Sequence, residues 1–509
     1  MSYCKLFRER KLAGLGLLLL ISFFVRWPLL QSVDIINVDA IRYFNSAHEL
    51  MQGNLSAAFE HEKMLAYSLL LGVIHAVVDD WAFSGIFISM LFLSLTLFPL
   101  YFLTKEVFGN MAALWAGAAL ILLPAANSLS TQVAKDTVFL FFLMLALWLG
   151  RKGMVERKPA CFLMTFLCAA MAALFRFEAV LFLAVYSLWL LSRWLFSADD
   201  RAIAKTGLIY YLAVPVISLC TILGIFVSGA YDVDIVNNVW SRFSKHYLYV
   251  DVLGSYFSIY NHLKSVERSF PGGQWSSDFF EIARHNLLLL YFIGLLQKLL
   301  AALFPVYIVP LYFGVKGVQA RGRNLGLLVW AILAYLGMAY FFLLTRNFLA
   351  ERYLMIVVVM LLPFTGHGFE QLRNRLALTR WPKTALAVVV IFFVCLPLYK
   401  SFEDVHYEKL ELRLAGEWLQ EHQDVMTQRM IVNDERIPFY AGLMRGSYDY
   451  IPDGEGQDFE SLATASGDAL LALYVSFREE EALPAFANYQ LIEKFRGDKK
   501  VVLVYAASP

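Results

Sequence analysis

Long apolar runs dominate the chain from residue 12 to residue 400. A hydrocarbon core of about 30 Å takes about 20 residues of α-helix to cross, and many of these runs approach or exceed that length. Eleven read as transmembrane helices: residues 12–30, 81–104, 111–127, 136–150, 159–175, 178–196, 207–229, 286–314, 324–344, 353–372 and 384–399. One further stretch, residues 64–78, is too short to cross comfortably and ends in Asp79 and Asp80. It reads as a helix lying in the interface. From about residue 401 the period changes. Residues 405–421 have helical spacing, and strand-like runs come after them at 430–432, 469–477, 488–495 and 501–506, with PDGEG and RGDKK as turns. The expected fold class is an all-α polytopic membrane protein with a small C-terminal α/β extracytoplasmic domain. The expected division is a transmembrane domain over 1–400, with outer loops 31–80 and 230–285, and a soluble domain over 401–509.

Composition agrees with this division. Hydrophobic residues make up 59% and charged residues 17%, where soluble domains carry nearer a quarter charged. Residues 401–509 hold 20 Asp and Glu against 10 Lys and Arg, so the acidic tail offsets a basic membrane portion. The basic residues are scattered through short loops, which excludes a nucleic-acid footprint. Those loops set the orientation. With an inner N-terminus, RKGMVERKP, SRWLFSADDRAIAK, KGVQARGRN and RNRLALTRWPK all face inward, as the positive-inside rule requires. If residues 64–78 spanned, every later basic loop would face outward. The N-terminal KLFRERK and its apolar run lack a cleavage site and read as a retained first span. The five cysteines, at positions 4, 161, 168, 220 and 395, show neither disulfide framework nor metal spacing.

The outer side collects the unusual charges. Asp34, Asp39, His48, Glu49, His61, Glu62 and Lys63 lie in the first outer loop, Lys135 and Asp136 at the mouth of a span, and Arg176 and Glu178 at a junction of two spans. The charges at those two junctions border hydrocarbon, where an ionised group is expensive, so a protein cleft or headgroups must face them. Structural uses stand beside functional ones. Asp39 suits the N-cap of AIRYFNSAHELMQ. Asp136 suits the positive end of its helix. Arg176 and Glu178 suit a pair closing their junction. The histidines suit packing or surface positions. Asp232 and Asp234 in YDVD, within the long outer loop, read as solvated loop residues.

The stretch NVDAIRYFNSAHELMQGN resembles the first outer loop of the GT-C membrane glycosyltransferases, which include protein O-mannosyltransferases and the aminoarabinose transferase of lipid A. Asp39, Tyr43, Ala47 and Gly53 fill the pattern, and Ala40 stands where the second acid is usual. EKMLAYSLLLGVIHAVVDD resembles the family's interfacial helix, with Lys63 and Tyr67 matching and Met64 and Leu65 replacing prolines. STQVAKDTVFLFFLMLALWL resembles the second outer loop through Asp136, LFRFEAVLFL the basic junction, and RNFLAERYLM a late outer Arg-Tyr pair, Arg352 and Tyr353. The resemblance covers about residues 10–375.

The resemblance implies a sugar donor on a polyprenyl phosphate, an acceptor that is a glycan, lipid or protein, and an inverting displacement at the anomeric carbon. A carboxylate takes the acceptor's proton, and cations hold the leaving phosphate. It gives Asp39 the role of base and Lys63 the phosphate, with Arg176 and Arg352 behind it. Tyr43, Tyr67, Glu178 and Tyr353 join the substrate-binding set. Asp136 is open to three uses: orienting the acceptor, holding Lys63 or Arg176, or binding a divalent metal. No cofactor is otherwise implied, since the lipid-linked sugar is a substrate. The expected location is a bacterial inner membrane, in contact with its lipids. Three rivals stand. A transporter or flippase would place ionisable groups near the midplane in repeated halves. A non-catalytic scaffold would bind a partner through the acidic tail. A polysaccharide polymerase or ligase with a pyrophosphate-linked donor would draw on Arg242, Lys245, Lys264 and Arg268.

Overall fold

The computed structural model describes residues 2–227, 252–270, 273–320, 325–376, 384, 387–389, 391–403, 409–422, 429–451, 469–483 and 489–507. Asp232, Asp234, Arg242, Lys245 and the PDGEG turn lie outside them. Among the described residues, six helices are long and apolar enough to cross a membrane: Ala13–Gln31, Trp81–Phe108, Asp136–Glu156, Ala179–Phe196, Gly326–Arg346 and Glu351–Leu376. Two bent pairs raise the number to eight if each is one span: Asn110–Leu122 with Pro124–Ser130, and Ser277–His285 with Leu287–Leu303. Pro159–Phe175 is apolar but has 17 residues, and Ala66–Val78 has 13.

Proline decides where the helices depart from the hydropathy pattern. The run 286–314 does not form one helix. Leu287–Leu303 stops at Phe304, whose φ is 66°, and a 3₁₀ turn at Pro305–Tyr307 leads into Ile308–Lys316. The residue before a proline is sterically pushed out of the α region, so the apolar run cannot keep its helix. Residues 111–127 likewise bend by 58° at Pro124. Pro124 has no N–H for the carbonyl of Leu120, four residues back. Arg26 supplies the missing donor: its Nη2 lies 3.2 Å from the Leu120 oxygen. The same guanidinium donates to Asn127 Oδ1 at 3.3 Å and Ser94 Oγ at 3.1 Å, and also to Ser22. Asn127 Nδ2 in turn donates to the Ile121 carbonyl and to Ser401 Oγ, each at 3.0 Å. In a bilayer an unmet backbone group costs several kcal/mol, which explains a buried arginine here.

Small residues let other helices meet at backbone distance. A Cβ on Gly368 would lie 1.6 Å from the Pro310 oxygen, and one on Gly314 would lie 1.8 Å from the Phe364 oxygen. Gly366 approaches Ala112 in the same way, at 2.2 Å. Helix Glu351–Leu376 is thus wedged between two neighbours, as small-residue stripes allow.

The chain divides into two compact units. The helical unit comprises Met1–Pro28, Ser89–Ser130 and Lys135–Asp404. The sheet-containing unit comprises Leu29–Ile88, Thr131–Ala134 and Val405–Pro509. Its strands are β1 (Met430–Val432), β2 (Tyr448–Tyr450), β3 (Leu470–Ser476), β4 (Tyr489–Arg496) and β5 (Lys500–Ala507). Their order is β2-β1-β3-β5-β4, with β1 parallel to β2 and β3, and β5 antiparallel to β3 and β4. Strand β3 is buried from Leu470 to Val475, the continuous apolar pattern of a strand covered on both faces. Helix Leu410–Glu421 packs Leu412, Ala415 and Leu419 on one face of the sheet. Strand β2 was not apparent in the sequence, because its three residues, Tyr-Asp-Tyr, carry no apolar run.

Candidate functional site

In the helical unit, Asp136 opens its helix and Glu178 directly precedes helix Ala179–Phe196. Arg176, just past the end of Pro159–Phe175, reaches both carboxylates and pairs with each. Its guanidinium sits 4.9 Å from the ring centre of Tyr353 and 5.8 Å from that of Phe139, within cation–π reach. The Arg352 guanidinium lies 5.3 Å from the same Tyr353 ring, and its Nη2 is 3.5 Å from the Tyr353 hydroxyl. The Tyr335 hydroxyl donates to the Glu178 carbonyl at 3.0 Å.

These five expected residues, Asp136, Arg176, Glu178, Arg352 and Tyr353, line one cavity. Its other walls are apolar, with Phe139, Leu140, Phe342, Leu349 and Met355 among them. Burial alone would lower the Arg176 pKa, but Asp136 and Glu178 more than offset it and hold the guanidinium protonated. The chemistry is that of a fixed cation with a second guanidinium beside it on an apolar wall. Among the described residues, no three His, Cys, Asp or Glu side chains gather as a metal set.

The first-loop residues lie in the sheet-containing unit. Helix Val38–Met51 begins one residue before Asp39. Asp39 is therefore in the first turn and is not the N-cap. Asn37 holds the cap position, and its side chain is turned to the backbone of Val133 instead, donating to the oxygen at 3.1 Å and accepting from the nitrogen at 2.8 Å. Asp39 pairs with Arg42, one helical turn on. Tyr43 and Tyr67 are buried against each other, with ring centres 4.9 Å apart, and the Tyr67 hydroxyl donates to the Gly85 carbonyl at 3.4 Å. Lys63 is exposed.

The tail braces this loop within the same unit. The Ile36 N–H donates to the Tyr440 hydroxyl at 2.8 Å, and Arg413 Nη1 donates to the Asp34 carbonyl at 3.2 Å. Phe44 stacks on Phe439 with centres 5.2 Å apart. The Arg445 N–H donates to Asn45 Oδ1 at 3.3 Å, and the Arg445 guanidinium lies 3.6 Å from the buried Glu435. Arg42 was open to detection, since it lies three residues from Asp39, the spacing of helix neighbours. Glu435 and Arg445 carried no such signal.

Residues 62–224 match the family model described as dolichyl-phosphate-mannose-protein mannosyltransferase. A comparison with curated proteins gives no match. Among solved structures, ArnT from Cupriavidus metallidurans bound to undecaprenyl phosphate is 13% identical, with a TM-score of 0.54 over 96% of this chain and 97% of that one. AglB, the oligosaccharyltransferase of Archaeoglobus fulgidus, in complex with an inhibitory peptide and a dolichol-phosphate, is 12% identical, with a TM-score of 0.56 over 94% of this chain and 70% of that one. At these identities the likeness is one of fold. The chain is an integral membrane protein with the fold of GT-C-type glycosyltransferases, and it resembles their mannosyltransferase and aminoarabinose transferase group.

Proposed function

We propose that the chain moves a sugar from a polyprenyl-phosphate-linked donor to an acceptor hydroxyl on a lipid, glycan or protein. The observation that carries this reading is the cavity in which Arg176 is fixed by Asp136 and Glu178, with Arg352 beside Tyr353 and apolar walls around them. A polyprenyl phosphate has the complementary chemistry, an anionic head on an apolar tail. The ligands bound to the two fold relatives, undecaprenyl phosphate and dolichol-phosphate, are of this class.

In the proposed reaction the acceptor oxygen attacks the anomeric carbon while Asp39 takes its proton. The bond from that carbon to the phosphate oxygen breaks, and the polyprenyl phosphate leaves with the electron pair. The anomeric configuration inverts. Arg352 and Arg176 stabilise the phosphate charge as it develops, with Lys63 as a further cation on the loop. The pairing of Asp136 with Arg176 favours a holding role for this acid. The burial of Tyr43 and Tyr67 favours a role in fixing the two loop helices. The proposed setting is a bacterial inner membrane, with a cytoplasmic N-terminus and an extracytoplasmic C-terminal domain.

The test is transfer by purified protein in proteoliposomes supplied with polyprenyl-phosphate sugars. Asp39→Asn is expected to lower kcat by about 10²–10⁴-fold, the usual contribution of a general base. Arg352→Gln is expected to raise the KM for the donor. Undiminished transfer by Asp39→Asn removes that residue as base, and substrate movement across the bilayer without transfer supports a flippase instead.

A further inference from the structure

Helices Val252–Ser269 and Gly273–His285 have no part in the proposed reaction. At 100° per residue, Ser277–His285 separates into two sectors. Ile282, Phe279, Ala283 and Phe280 occupy one, and Arg284, Ser277, Glu281, His285 and Asp278 the other. The polar sector is tied down: Arg284 pairs with Glu267 of the preceding helix, and Ser277 Oγ donates to the same carboxylate at 2.7 Å. On the apolar side Phe280 packs on Phe270, with centres 5.8 Å apart. Phe279 and Ile282 remain exposed, at 66% and 64%.

The next helix in the chain indicates the surroundings. Leu287–Leu303 is apolar and leaves Leu289, Phe292 and Ile293 exposed, and Ser277–His285 is bent from it by 75°. Leu287–Leu303, of 17 residues, is at the short end of what can cross a hydrocarbon core, and a helix turned 75° from one aligned with the membrane normal runs near the membrane plane. Four ionisable residues in nine, Asp278, Glu281, Arg284 and His285, keep it out of the hydrocarbon core. Phe279 and Ile282 are ill-suited to water. Both requirements are met at the boundary between headgroups and acyl chains.

We propose that Ser277–His285 is a membrane-surface helix, with Phe279 and Ile282 inserted among the acyl chains of the bilayer and the Glu267–Arg284 pair holding Val252–Ser269 on its water side. The segment thereby tethers its loop to lipid whether or not the chain transfers a sugar.

The test places single cysteines at 278, 279, 281 and 282 of the full chain, after replacing the native five, and labels each with an environment-sensitive fluorophore in phospholipid vesicles. Phe279→Cys and Ile282→Cys are expected to give blue-shifted emission, quenched several-fold more strongly by brominated acyl chains than Asp278→Cys or Glu281→Cys. Equal, unquenched emission at all four positions overturns the proposal. A photocrosslinking residue at position 279 in the chain with its native cysteines gives an independent reading. A phospholipid adduct supports membrane insertion, whereas a chain–chain adduct assigns the face to a second copy and overturns it.

Discussion

Asp39, Arg42, Glu435 and Arg445 bring four charges together in the sheet-containing unit, and the third has the least satisfied surroundings. Glu435 Oε1 is buried without a hydrogen-bond partner among the described residues. Burial pushes its carboxyl above the ordinary range, and Arg445 and Arg42 oppose that without cancelling it. The folded chain therefore holds a proton where the unfolded chain has already lost it. Stability from this site is fullest below the ordinary glutamate value of about 4.3 and falls as pH rises through the higher folded value. Glu435→Gln keeps the shape without the ionisation. It is expected to raise the thermal midpoint near neutral pH by a few degrees and to flatten the decline between acid and neutral pH, as thermal unfolding across that range would read. Asp39 was visible in the sequence as an acid in a recognisable setting. Glu435 was not, because Arg42, whose charge bears on it, lies in a distant part of the chain.

At the scale of elements, hydropathy located the helices and proline and glycine determined how they end and meet. The apolar run 286–314 concealed the stop at Phe304, since hydropathy does not register the steric demand of Pro305. The glycines of Glu351–Leu376 show the converse. Their spacing is ordinary in the sequence, yet Gly368 and Gly366 face different neighbours at backbone distance. A side chain at 368 has no flexible atom to displace, because the obstacle is the Pro310 carbonyl. Gly368→Val is expected to destabilise the helical unit by about 3 kcal/mol or more, at or beyond the upper end of ordinary overpacking. A lowered thermal midpoint of purified protein, with Gly337→Val little changed because a Cβ at Gly337 meets no neighbouring atom, would confirm a local backbone clash.

At the scale of the molecule, the first loop and the tail share one compact unit although they lie at opposite ends of the chain. The contact of Arg445 with Asn45 closes a separation of 400 residues. Periodicity showed an α/β tail and a loop helix, but pairing across such a distance leaves no local pattern. Ile35 packs against the core beneath helix Leu410–Glu421, and Phe44 against Phe439. A chain ending at Glu403 loses these covers. It is expected to insert its spans but to expose residues 31–80 to protease, and limited proteolysis in vesicles would show cleavage there that the full chain resists. Equal resistance of the two chains would show that the loop does not depend on the tail.

The arginine that repairs the break at Pro124 also has a history during synthesis. Arg26 emerges 68 residues before Ser94 and 101 residues before Asn127. At about 5–20 residues per second, it waits roughly 3–20 s for the partners that satisfy it. During that interval the first helix presents an incompletely solvated guanidinium to the insertion machinery. Arg26→Leu would ease this early step and leave the Leu120 carbonyl unanswered later, so insertion efficiency and final stability are expected to move in opposite directions. The residue that completes the folded helix is thus a burden on the nascent one.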